Sequence, residues 1–129
     1  MEVKVALDTN AYSDFMRGDA ARVHIIRTAR HLYLPLIVVG ELRAGFAAGS
    51  QESANSANLL RFLNSPRVSV LLPDEQTTHH YAQLFAQLRQ KGVAIPTNDL
   101  WIAALALQHQ LILCTSDTHF QHLPQLPRC

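Results

Sequence analysis

Apolar residues recur at two spacings along the chain, and the changes between them divide it into elements. Val3, Val5 and Leu7 stand at every second position, the period of a strand. "HLYLP" (His31 to Pro35) and "VSVLLP" (Val68 to Pro73) are short β-rich runs, each closed by proline, and "LILCTSD" (Leu111 to Asp117) is a fourth. Between them the spacing turns helical: near Ala11, then over Asp19 to Arg30, Leu36 to Ala48, Ser50 to Asn64, Asp74 to Lys91 and Asn98 to His109. Leu100, Ala103, Ala104 and Leu107 form the stripe of the last of these. Gly18, Gly49, Ser65-Pro66 and "KGVAIP" mark the changes of period. "SQESANSAN" is polar, but its alanines and the following "LLRFL" suit the start of an exposed helix. Strands separated by helices predict an α/β fold, a mainly parallel sheet with helices on both faces.

At 129 residues, 48% of them hydrophobic and 16% charged, residues 1–129 are expected to form a single domain, with no repeat, low-complexity tract or linker. A formal net charge of +1 excludes binding nucleic acid by bulk positive charge, so any such contact has to come from a local arrangement. Cys114 and Cys129 form no disulfide framework and no CxxC pair, which suits a reducing cytoplasm. The start "MEVKVALD" shows no basic stretch followed by a long apolar run, so export is not expected, and no stretch reaches the roughly 18 to 20 apolar residues of a membrane span.

Only ten residues are acidic, and four of them sit against apolar segments. Asp8 ends the first predicted strand and Asp117 the last. In a parallel sheet both then emerge at the carboxyl edge, where α/β folds place their ligands. Glu41 lies within "LIVVGELRAG", on the stripe of Ile37, Val38, Ala44 and Gly45, and is expected to point inward. Asp99 lies just inside the start of a helix, sharing a face with Ile102, Ala103 and Ala106. Each has a structural alternative: Asp8 as a helix cap, Asp99 at a helix's positive end, Asp117 as a turn residue. Glu41 has the weakest, because an acid on an apolar stripe requires a partner and Arg43 lies on another side of that helix.

Carboxylates that converge repel one another, and the cluster either takes up protons or recruits a cation. Oxygen ligands without histidine or cysteine at ligand spacing point to a hard ion, Mg²⁺ or Mn²⁺. Such an ion suits phosphoryl chemistry, since it acidifies water and offsets charge on phosphate and leaving oxygen.

"VALDTN", "VVGELRAGF", "TNDLWIAALAL" and "LCTSDTHF" resemble, in order and spacing, the four signature segments of the PIN domain, most nearly the VapC-like toxins of bacterial toxin–antitoxin pairs. The match runs from Val3 to Phe120. The resemblance implies a three-layer α/β fold with a four- or five-stranded, mainly parallel sheet. It further implies an endoribonuclease that uses a water activated by Mg or Mn, the metal being held by Asp8, Glu41, Asp99 and Asp117, to leave a 5′-phosphate and a 3′-hydroxyl. Thr115 and Asn10 would be supporting residues that orient ligands or water. RNA would be the substrate and a cognate antitoxin the inhibitory partner. The family's short fifth strand is expected to be missing or irregular, because Pro124 and Pro127 interrupt the tail. The family's small hydroxyl residue before Glu41 is also lacking.

Arginines outnumber lysines nine to two. Arg22, Arg27 and Arg30 fall on one helix, either gripping RNA or lying on a solvated face, while Arg43 is the chosen phosphate contact. Histidine-only cleavage has little support among scattered histidines, although His119, two residues past Asp117, sits near the proposed cleft. Tyr12, Phe15, Phe46 and Trp101 read as core or interface before base-stacking residues. The aliphatic excess in Leu36 to Ala48 suggests a homodimer, as the family often forms. The alternative function is a catalytically silent PIN-like module binding a protein or RNA partner. A phosphate-accepting regulatory domain fits poorly, for "LDTNAY" has one acid and no lysine follows Thr115.

Overall fold

A computed structural model of the chain describes residues 3–129. Met1 and Glu2, part of the stretch read for a leader, lie outside them. In chain order the elements are β1 (Lys4–Leu7), α1 (Thr9–Met16), α2 (Ala20–Thr28), β2 (His31–Pro35), α3 (Leu36–Ala48), α4 (Glu52–Leu63), β3 (Val68–Leu71), α5 (Glu75–Lys91), α6 (Thr97–Gln108) and β4 (Ile112–Cys114). A short 3₁₀ helix, Thr118–His122, follows. No helix among the described residues is long and apolar enough to cross a membrane.

The strands order β3-β2-β1-β4, and every pairing is parallel. Val5 stands opposite Leu32 on one side and Ile112 on the other. Side chains alternate between faces along a strand, yet Val5, Ala6 and Leu7 are all buried, so both faces of β1 are covered. The chain first builds outward from β1 through β2 to β3, then returns to add β4 at β1's other edge. That reversal makes the carboxyl ends of β1 and β4 the crevice in which such sheets place ligands. The central helix α6 buries an unbroken run from Ile102 to Ala106, as a helix surrounded by other elements must.

Local chemistry sets the boundaries. Asp8 caps α1, Asp19 caps α2 through the Arg22 amide at 3.0 Å, and Asp74 exchanges hydrogen bonds with Thr77 in a capping box at α5. Gly92 ends α5 with φ +71°, the left-handed conformation that glycine adopts without strain.

Several boundaries differ from expectation. The run Leu111 to Asp117 is strand only over Ile112–Cys114, and Asp117 instead caps the 3₁₀ helix. The first helix begins at Thr9, two residues before Ala11, because Asp8 supplies its cap. The fifth strand, by contrast, is irregular as expected: it is reduced to one parallel bridge, Leu113 with Arg128, closed by the Cys129 amide to Leu113 O at 2.9 Å. On α3 the buried side is Val38, Val39 and Leu42, whereas Ala44 and Gly45 are exposed. The stripe read from spacing was therefore rotated.

Candidate active site

Asp8 directly follows β1, and its amide bonds to Cys114 O at the end of β4, 3.3 Å away. It is 5% exposed, and both carboxylate oxygens are occupied: Oδ1 accepts the Ala11 amide at 2.8 Å, Oδ2 the Thr115 hydroxyl. Thr115 Oγ1 in turn accepts the Asp117 amide at 2.9 Å. One hydroxyl thus ties together the two acids that leave β1 and β4. Beneath them lies Arg22, whose guanidinium donates to Cys114 Sγ at 2.9 Å, to Cys129 O at 3.3 Å and to Ser116 Oγ. Arg22 was expected on a solvated or RNA-facing surface. It is buried, because α2 packs it under the carboxyl ends of the strands.

Asp99 sits in the first turn of α6, half-buried. Its Oδ2 meets Nδ1 of His119 at 2.8 Å, and the same nitrogen lies 3.1 Å from Oδ1 of Asp117. Asp117 Oδ1 also accepts the His119 amide at 2.9 Å. Glu41 projects from α3 and is half-buried, at the edge of its helix's apolar side. The partners that its position required are Thr9, donating to Oε1 at 2.6 Å, and Asn98, donating to Oε2 at 3.3 Å. Thr9 adjoins Asp8 and Asn98 adjoins Asp99, so Glu41 is joined to both sides of the cleft. Both donors come from outside α3, Thr9 from α1 and Asn98 from α6.

Electrostatics agrees with the geometry. Burial pushes the Asp8 pKa above its ordinary value, opposed by the Thr115 and Ala11 hydrogen bonds and by Arg22, and reinforced by the charge of Asp117. Asp99 is also raised, first by burial and then by Asp117 and Glu41, with His119 opposing. His119 is raised chiefly by its bond to Asp99. A set of carboxylates that cannot all ionise comfortably is what a divalent cation relieves. Among the described residues, one ligand atom each from Asp99, Asp117 and His119 lie within 4.8 Å of one another. The donors fit a hard or borderline divalent ion.

Three of the acids serve helix N-termini as well: Asp8 for α1, Asp117 for the 3₁₀ helix, and Asp99 within α6's first turn. The capping alternative and the site reading describe the same atoms, since a cap pins the carboxylate in place. Asn10 is exposed and makes no side-chain hydrogen bond among the described residues; Thr9, its neighbour, makes the contact to Glu41 instead. Arg43 is exposed on α3, two residues beyond Glu41. Of the aromatic residues, Tyr12 is buried edge-on against Phe62 at 5.2 Å, and Trp101 lies over Tyr81 at 4.3 Å, which makes both packing residues.

Thr9 and Asn98 could have been found as polar neighbours of acids in "LDTN" and "TND". His119 carried a visible signal in its two-residue spacing from Asp117; the expectation of no histidine at ligand spacing is corrected, since the 3₁₀ turn folds His119 back onto Asp99. Arg22 had no local signal, for its partners lie 92 to 107 residues away.

A family model described as PIN domain matches residues 5–126. Ribonuclease VapC1 of Haemophilus influenzae is 35% identical over 125 residues, 93% of this chain and 92% of that protein. Ribonuclease VapC4 of Mycobacterium tuberculosis is 31% identical, over 98% and 96%. Among solved structures, VapBC-1 from nontypeable Haemophilus influenzae superimposes with a TM-score of 0.83 at 29% identity, covering 98% of this chain and 97% of that one. The chain belongs to the PIN-domain family. Relatives within that family include these VapC ribonucleases, and the chain is VapC-like.

Proposed function

We propose that the chain is a metal-dependent endoribonuclease and the toxin member of a toxin–antitoxin pair. The observation that carries the reading is the linkage of four carboxylates from four separate elements through Thr115, His119, Thr9 and Asn98. Its VapC ribonuclease relatives support the activity, and its likeness to VapBC-1 supports a cognate antitoxin.

Asp8, Asp99 and Asp117 would hold Mg²⁺ or Mn²⁺, with Glu41 completing the site. The ion, when bound, acidifies water and offsets phosphate charge. The chain's own residues do the rest. Thr115 fixes Asp8 and Asp117 relative to each other, and Thr9 and Asn98 hold Glu41 across the cleft. Arg22 keeps a buried positive charge under Asp8, favouring the carboxylate form that binds a cation. Arg43, exposed on α3 two residues beyond Glu41, would take an RNA phosphate, and Asn10, exposed at the first turn of α1, would orient water or substrate. An RNA substrate and two free thiols are consistent with a cytoplasmic protein folding as one domain.

The test is cleavage of total tRNA and rRNA with Mg²⁺, Mn²⁺ or EDTA. Cutting should require the ion, leave 5′-phosphate ends and vanish in D8N. Cutting that persists in EDTA or in D8N refutes the proposal.

A further inference from the structure

We propose that the imidazole of His119 is itself a ligand of the divalent ion, making a mixed nitrogen–oxygen site that takes Mn²⁺ in preference to Mg²⁺. The inference rests on the proposed metal-dependent reading of the acidic cleft and adds to it a ligand outside the four carboxylates.

Spacing is the first argument. Nδ1 of His119 lies 2.8 Å from Asp99 Oδ2 and 3.1 Å from Asp117 Oδ1. Adjacent ligands on an octahedral ion with bonds of about 2.1 Å stand about 3 Å apart. The nitrogen therefore already keeps from both carboxylates the separation that a shared coordination sphere demands. Its N–H serves the two oxygens now; on uptake of an ion that proton would be released, the ring keeping a proton on Nε2, and the freed Nδ1 lone pair would meet the ion among the carboxylates.

The ring is also held from its backbone. The His119 amide donates to Asp117 Oδ1 at 2.9 Å, and the next residue, Phe120, is fully buried, so the backbone carrying the ring is anchored on both sides. The side chain itself is 44% exposed. It fills no core and contributes little packing, which leaves its contacts with the two acids as the reason for its orientation.

Metal preference follows from ligand chemistry. Mg²⁺ is served by oxygen donors and dehydrates reluctantly, whereas Mn²⁺, a first-row transition ion although the weakest binder of its series, accepts a nitrogen ligand more readily than Mg²⁺ does. Replacing one oxygen ligand by nitrogen shifts relative affinity toward Mn²⁺.

The experiment uses the full chain loaded with Mn²⁺ and electron spin echo envelope modulation, which detects nitrogen bound to the ion. The wild type should show ¹⁴N modulation, and protein carrying ¹⁵N-labelled histidine should show the corresponding isotope change. H119A should lose the modulation and bind Mn²⁺ at least about tenfold more weakly by calorimetry, the lower end for lost supporting contacts, while Mg²⁺ affinity changes far less. Bound Mn²⁺ without nitrogen modulation, or modulation that survives in H119A, overturns the His119 assignment and leaves the carboxylate site standing. A wild type that takes up no Mn²⁺ overturns both.

Discussion

Thr115 gives its hydroxyl proton to Asp8 and takes the amide proton of Asp117 at 2.9 Å, so one side chain sets the separation of two acids that leave different strands. Removing it should loosen the site without dismantling the sheet. Thr115→Val keeps the shape and strands one carboxylate oxygen of Asp8, a loss of about 1.5–3 kcal/mol for a hydrogen bond to a charged group. Metal affinity should fall in T115V and be largely restored in T115S, which keeps the hydroxyl. Calorimetric titration of both variants checks this, and equal affinities for T115V and wild type would remove Thr115 from the site.

Asp8 trades stability for function. It is buried with its pKa raised, so its charge is unfavourable to the metal-free fold. Asp8→Asn retains an oxygen for the Ala11 amide and carries no charge. In EDTA, at about pH 8, D8N should therefore melt at or a few degrees above the wild type, while its RNA cleavage is lost. A D8N that melts well below wild type under those conditions contradicts the account of Asp8 as a strained charge.

The pH dependence of the metal-free protein has a definite sign. Asp8 and Asp99 are raised above their ordinary 3.8, and His119 above its ordinary 6.5. In each case the folded chain holds its proton more tightly than the unfolded chain does. Stability contributed by His119 is complete below 6.5 and lost as pH rises through its folded value; for the acids the loss runs upward from 3.8 to their raised values. The melting temperature in EDTA should thus decline from about pH 5 to about pH 8, and the rise produced by Mn²⁺ should be larger at the higher pH. A metal-induced shift that shrinks with rising pH would count against the acids as its source.

Arg22 holds the floor of the site through Cys114, Ser116 and the Cys129 carbonyl. Arg22→Met preserves length and apolar stem while leaving those acceptors unpaired, costing about 1.5–3 kcal/mol. It also removes a charge that lowers the Asp8 pKa, so metal binding should shift to higher pH in R22M. Urea unfolding and metal titration across pH measure the two effects separately.

Much of this arrangement was legible in the sequence because its determinants are local. The periods of Val3 to Leu7 and of Leu36 to Ala48 fixed the element types, and acids at the ends of apolar runs marked the cleft. What failed was long-range or depended on one residue of register. Arg22 looks like a surface arginine until α2 brings it to a strand residue 92 positions on. The inward side of α3 was misread because "LIVVGELRAG" is apolar nearly all round, so spacing alone does not choose which stripe is buried. His119 was legible as a neighbour of the cleft but not as a partner of Asp99, because a 3₁₀ turn, unlike a strand or α-helix, gives no periodic signal over five residues.

The central claim is that Asp8, Glu41, Asp99 and Asp117 act on one divalent ion site. Calorimetric titration of Mn²⁺ into the wild type and into D8N, E41Q, D99N and D117N tests it most directly. The wild type should take up the ion, and each variant should bind at least about tenfold more weakly. Wild-type affinity retained in all four variants would contradict it.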